Sequence, residues 1–149
     1  MSLEDKIREN LKESLRQGDK ARVSILRLLL SEIKYAEIAQ QQPLNDDETL
    51  GVIARQVKRH RESIELFKKG SRNDLVAQEE MELNILMEYL PRQMKREEIV
   101  SLAKQVIAEL GAKEIKDKGK VMSQLMAQLR GKAEGKEVSE VVLKLLSTA

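Results

Sequence analysis

The sequence predicts an all-α protein, and three observations carry that reading. Aromatic residues make up only 2% of the 149 residues, so the core must be assembled from Leu, Ile, Val, Met and Ala, the side chains of helix-on-helix packing. Apolar residues recur at spacings of three and four along most of the chain. The alternating β-branched and aromatic runs that strands favour are missing.

The first helix opens at Ser2, with Asp5 completing a capping box, and carries Leu3, Ile7, Leu11 and Leu15 until Gly18 ends it. Asp19 caps a second helix whose stripe of Val23, Leu26, Leu30, Ile33 and Ala36 is broadened by Ile25, Leu28 and Leu29, a face wide enough for central burial. Pro43 breaks the pattern within AQQQPLNDDE, and the cluster Asn45 to Asp47 caps the third helix. That helix places Leu50, Ile53, Val57, Ile64 and Phe67 near a heptad rhythm, and Gly70 stops it. A fourth, capped by Asn73, carries Leu75, Val76, Leu83, Leu86, Met87 and Leu90 up to Pro91. The short GSRN connection predicts an α-hairpin.

The polar segment PRQMKR, residues 91–96, coincides with a shift in charge and is read as a linker between a helical domain at 1–90 and a smaller one at 97–149. The smaller domain reads as three helices: Glu97 to Leu110, closed by Gly111; about Asp117 to Arg130, closed by Gly131; and about Lys136 to Leu146. Their apolar faces are Ile99, Leu102, Val106 and Leu110; then Val121, Met122, Leu125, Met126 and Leu129; then Val138, Val141, Val142 and Leu145.

The chain has no cysteine, which excludes disulfides, a thiolate nucleophile and a Cys-based zinc site. With no apolar signal region at the N-terminus and no run of 18 apolar residues, the sequence reads as cytosolic. Phosphate-binding loops, zincin motifs and nucleophile elbows are all missing. The one histidine, His60, stands among Lys58, Arg59 and Arg61, cations that would disfavour its charged form, and reads as a structural or surface residue and not as a catalytic base. The acidic runs at Asp46 to Glu48 and Gln78 to Asn84 read as helix starts and solvated faces. Neither a catalytic residue, a cofactor nor a metal ion is expected.

Charge supplies the positive signal. Residues 1–90 hold 15 basic against 17 acidic side chains, whereas 91–149 hold 12 against 8, with 7 against 3 between Lys113 and Lys136. Such a local patch suits phosphate or an acidic protein face. A helix starting near Gly119 would aim free amides and a positive dipole end outward beside Lys118 and Lys120, with Gly119 allowing close backbone approach. Lys116 and Lys132 would widen the contact along a nucleic-acid backbone. The competing reading makes Gly131 and Gly135 left-handed turn residues and nothing more. The basic strip from Arg55 to Arg72 is partly neutralised by Glu62 and Glu65 one turn away.

The run GKVMSQLMAQLRGKAEGKEVSEVV closely resembles the tail signature of the GatB/YqeY family, and RLLLSEIKYAEI, RHRESIELFKKGSRNDL and EYLPRQM resemble the first domain of its free-standing members. The resemblance covers nearly the whole chain. It implies a two-domain helical protein whose C-terminal domain is similar to the tail of the B subunit of glutamine-dependent tRNA amidotransferases, a part that engages the tRNA body while the chemistry occurs elsewhere. The positions carried over are Gly119, Lys120, Met122, Leu125, Met126, Gly131, Lys132, Ala133, Gly135 and Lys136, of which the two methionines and Leu125 read as core. Ser123 departs from a frequent glycine and Lys118 from a frequent apolar residue.

The expectation is a non-catalytic accessory protein that contacts tRNA phosphates through Lys116, Lys118, Gly119, Lys120, Arg130, Lys132 and Lys136. One alternative is a protein-interaction module docking on a translation or amidotransferase component. The other is a share in the carbon-nitrogen ligase activity, with glutamine as amido donor, that the family association implies.

Overall fold

In the computed structural model, which describes residues 1–148, local chemistry fixes where the first three helices begin. Ser2 Oγ accepts from the amide of Asp5 at 3.1 Å, and the Asp5 carboxylate accepts from the amide of Ser2, so α1 (Leu3–Gln17) starts in a closed capping box. It ends at Gly18, whose φ of 70° is the left-handed turn that glycine adopts without strain. Asp19 caps α2 (Lys20–Gln40), and Asn45 with Glu48 forms a second capping box at the head of α3 (Asp46–Lys69). Two ends differ from the sequence expectation. Gly70 has φ −86°, and the left-handed residue is Ser71, at φ 55°. The N-cap of α4 (Asn73–Met87) is accordingly Arg72, with Asn73 already inside the helix.

These four helices make one compact unit, Met1–Leu90. Here α1 packs on α2 and α3 on α4, while α2 also touches α3 and α4. Ile7, Leu26, Leu29, Ile33, Ile53 and Leu86 are fully enclosed. Each contributes about 1.5–3 kcal/mol through burial. Leu15, expected inside, is half exposed, and Ser14 is buried in its place, donating to the carbonyl of Asn10 at 2.8 Å. A row spaced every four residues drifts about 40° per step on a helix of 3.6 residues per turn, so Leu15 rolls off the face that Ile7 occupies. Asn10 donates to the hydroxyl of Tyr89 at 2.7 Å, and Arg22 binds the carboxylate of Glu88 through two nitrogens, the shorter contact 2.6 Å.

The second unit, Pro91–Ala149 by residue range, contains α5 (Arg96–Leu110), a 3-10 turn (Ile115–Asp117), α6 (Lys118–Leu129) and α7 (Gly135–Ser147). Each of its three α-helices packs against the other two around Ile99, Ala103, Val106, Val121, Leu125, Leu129, Val138 and Val142. Residues 91–95 are fastened to the loop between α6 and α7. The Met94 amide donates to the Lys132 carbonyl at 2.8 Å, and the Gln93 side chain donates to the carbonyls of Pro91 and Gly131. Glu98 then receives both the Lys95 amide and the Arg92 guanidinium, the latter with contacts of 3.1 and 2.8 Å. The described residues contain no strand, and none of their helices is long and apolar enough to cross a membrane.

Candidate functional site

The seven basic and glycine positions fall into two groups at the ends of α6. Lys116, Lys118, Gly119 and Lys120 lie where the 3-10 turn runs into the helix; Arg130, Lys132 and Lys136 lie around its far end and the start of α7. The twelve residues of α6 separate the groups by about 18 Å at 1.5 Å per residue. They are two contact points along one helix, not one pocket.

The near end is more occupied than the sequence suggests. The Lys118 amide already donates to the Ile115 carbonyl, since the 3-10 turn continues directly into α6. Asp117 accepts the amides of Lys113 and Glu114 at 3.1 and 3.2 Å. Those two amides hold its carboxyl below the usual carboxylate range, with Lys120 and Lys116 adding to the effect. A carboxylate therefore stands at the helix start where an incoming anion would sit. Lys116 pairs with Glu114 at 3.2 Å, and Lys118 is half-buried; Gly119 and Lys120 remain exposed.

The far end also carries carboxylates, with Glu134 as the N-cap residue of α7 and Glu137 in its first turn, but its lysines are exposed. Gly131, with φ 78°, closes α6 in the left-handed conformation, and the chain passes through Lys132 to α7. No side-chain cap hydrogen bond closes the first turn of α7, and the exposed Lys132 and Lys136 flank its start. Gly135, expected to need a positive φ, does not have one: it is the first residue of α7. A methyl group on Gly135 would meet nothing within 4 Å, and the same holds at Gly119. The fold requires glycine at Gly131 and leaves both other positions open to a close-approaching ligand.

With this geometry in place, comparison with known proteins is decisive at the level of family. The family profile described as Yqey-like protein matches residues 4–146. The chain belongs to the YqeY-like family. A Schizosaccharomyces pombe protein described as uncharacterized is 33% identical over 90 residues, covering 60% of this chain and 73% of that protein. The Pyrenophora tritici-repentis protein named Altered inheritance of mitochondria protein 41, mitochondrial, is 28% identical over 145 residues, covering 92% of this chain and 79% of that protein. Its namesake in Lachancea thermotolerans is 35% identical over 85 residues, 56% of this chain and 46% of that protein. These YqeY-like relatives correct the cytosolic expectation. The names of the Pyrenophora and Lachancea relatives say mitochondrial, and a cysteine-free composition suits any reducing compartment, so it does not choose one.

In this YqeY-like chain His60 also departs from its expected setting. Lys58, Arg59 and Arg61 are exposed, and Arg59 pairs across to Glu32 at 3.9 Å, whereas His60 turns inward. Its Nδ1 lies 2.9 Å from the Gln56 carbonyl, and its Nε2 lies 3.1 Å from Glu82 and 3.6 Å from Glu79. The acidic run read as a solvated face thus supplies the partners of the one histidine. The sequence spacing gives no hint of this, because the pairing is set by how α3 and α4 align across residues 70–72.

Proposed function

We propose that this YqeY-like chain is a non-catalytic accessory protein of tRNA-dependent amidation that holds tRNA by its phosphates at the two ends of α6. The observation that carries the reading is the start of α7: a glycine that the fold does not need, with the exposed Lys132 and Lys136 on either side. Lys120 and Gly119 at the other end supply the second contact, about 18 Å along the α6 axis. Two basic points at that separation bridge distant phosphates on a folded RNA and read shape instead of sequence. The chain's three aromatic side chains leave little material for base stacking, which agrees with phosphate-led binding.

A gel-shift or filter-binding titration with unfractionated tRNA tests this. Lys120→Glu, Lys132→Glu and Lys136→Glu together are expected to weaken retention at least tenfold. Unchanged binding by the triple variant would sink the proposal. A second reading, docking on a protein component of the same system, is favoured by Leu28, Tyr35 and Ile38, which stand exposed on one side of α2. It predicts a protein partner whose capture is insensitive to those lysine changes.

A further inference from the structure

The α3–α4 hairpin carries a constellation that phosphate binding does not use. A backbone carbonyl can only accept, so the 2.9 Å contact to the Gln56 carbonyl assigns the ring proton of His60 to Nδ1. Nε2 faces two carboxylate oxygens, at 3.1 Å on Glu82 and 3.6 Å on Glu79. Two carboxylates meeting one ring nitrogen call for positive charge there, either a second ring proton or a bound cation. A single proton bridges one such pair. Here two carboxylates converge on the same nitrogen, and the three ligating atoms all lie within 4.8 Å of one another.

We propose that His60, Glu79 and Glu82 form a three-ligand site for a first-row divalent cation of the Zn2+ type, with at least one coordination position left for water or another donor. The spacing is near what the chemistry needs, with 3.6 Å to Glu79 inside the range and 3.1 Å to Glu82 slightly short of it. Metal–ligand bonds of about 2.0–2.2 Å in a tetrahedron put ligand atoms about 3.3–3.6 Å apart. Glu79 and Glu82 stand three residues apart on one face of α4, opposite His60 on α3, the facing-helix arrangement from which bundles build metal sites. Donation from Nδ1 to a backbone carbonyl is the outer contact that fixes the tautomer and orientation of a ligating histidine. The Gln78 side chain also reaches Glu82, at 3.5 Å. His60 is 8% exposed, with Glu79 at 22% and Glu82 at 19%, so the nitrogen is held rigidly while the carboxylates remain reachable from solvent. An imidazole nitrogen in the set selects against Mg2+ and Ca2+, which take oxygen donors.

The test uses the full chain after chelator treatment, titrated with Zn2+ by calorimetry and with Co2+ by visible absorption, alongside Glu79→Gln and Glu82→Gln. Both glutamates are partly exposed, so these variants retain the fold, which circular dichroism verifies. The expected result is one Zn2+ per chain, a Co2+ ligand-field spectrum, little response to Mg2+, and at least a tenfold loss of affinity in each variant. At a Zn2+ concentration a hundred times Kd, the folded-to-unfolded ratio rises about a hundredfold. Failure to saturate at one Zn2+ per chain, or equal affinity in wild type and both variants, would overturn the site and leave a proton as the only cation between these groups. Binding of tRNA is not read in this experiment, so its failure leaves the phosphate proposal standing.

Discussion

Substituting alanine at Gly131 and at Gly135 separates a glycine that the backbone demands from one that it does not. Gly131 has φ 78°, where an L side chain costs about 1–2 kcal/mol because Cβ approaches the following carbonyl. Gly135 begins α7 without a positive φ, and an added methyl meets nothing within 4 Å. Alanine there reduces the freedom of the unfolded chain and gains up to about 0.5–1 kcal/mol. The two variants should therefore move stability in opposite directions. With a urea m-value of about 2 kcal/mol/M, the midpoint falls by about 0.5–1 M for Gly131→Ala and stays level or rises for Gly135→Ala, read by helical circular dichroism. The same Gly135→Ala variant should bind tRNA more weakly, since its methyl group stands where phosphate approaches the amides at the head of α7. If Gly135→Ala unfolds as readily as Gly131→Ala, Gly135 is instead a structural turn residue with no claim on a ligand.

Three further outcomes are expected. Ser71→Gly, at the left-handed residue between α3 and α4, should stabilise by about 1 kcal/mol and raise the urea midpoint. Leu125→Ala, at a fully enclosed position of α6, should cost about 2–5 kcal/mol in the same assay. Hydrogen bonds from Arg92 and then from the Lys95 amide lower the carboxyl of Glu98 from 4.5 to about 2. A depressed carboxylate stabilises the fold above its unfolded value, so this contribution is complete above about 4.5 and is lost as pH falls toward about 2. NMR titration of Glu98 in Arg92→Ala should show its carboxyl returning toward the ordinary range.

The all-α class and the helix starts at Ser2, Asp19 and Asn45 were legible because they depend on neighbours three residues away. The start of α4 was not: its position depends on Ser71 adopting a conformation that residue type alone rarely signals. Spacing by fours put Leu15 in the core, whereas the true helical period buries Ser14. The basic positions could be read from composition, but their division between the two ends of α6, and the carboxylate of Asp117 standing at one of them, depend on where a 3-10 turn meets the helix. His60 and its carboxylates lie 19 and 22 residues apart in sequence, and only the register of two packed helices brings them together.

Phosphate contact at the ends of α6 is decided by the salt dependence of tRNA binding. Each phosphate neutralised on a structured RNA contributes about 0.7–0.9 to the slope of log affinity against log salt. If Lys120, Lys132 and Lys136 make these contacts, the slope for the wild-type chain is at least about 2, and replacing all three with glutamate reduces its magnitude by about 2–3. A slope near zero in the wild type, or one unchanged by the three replacements, would contradict such contact.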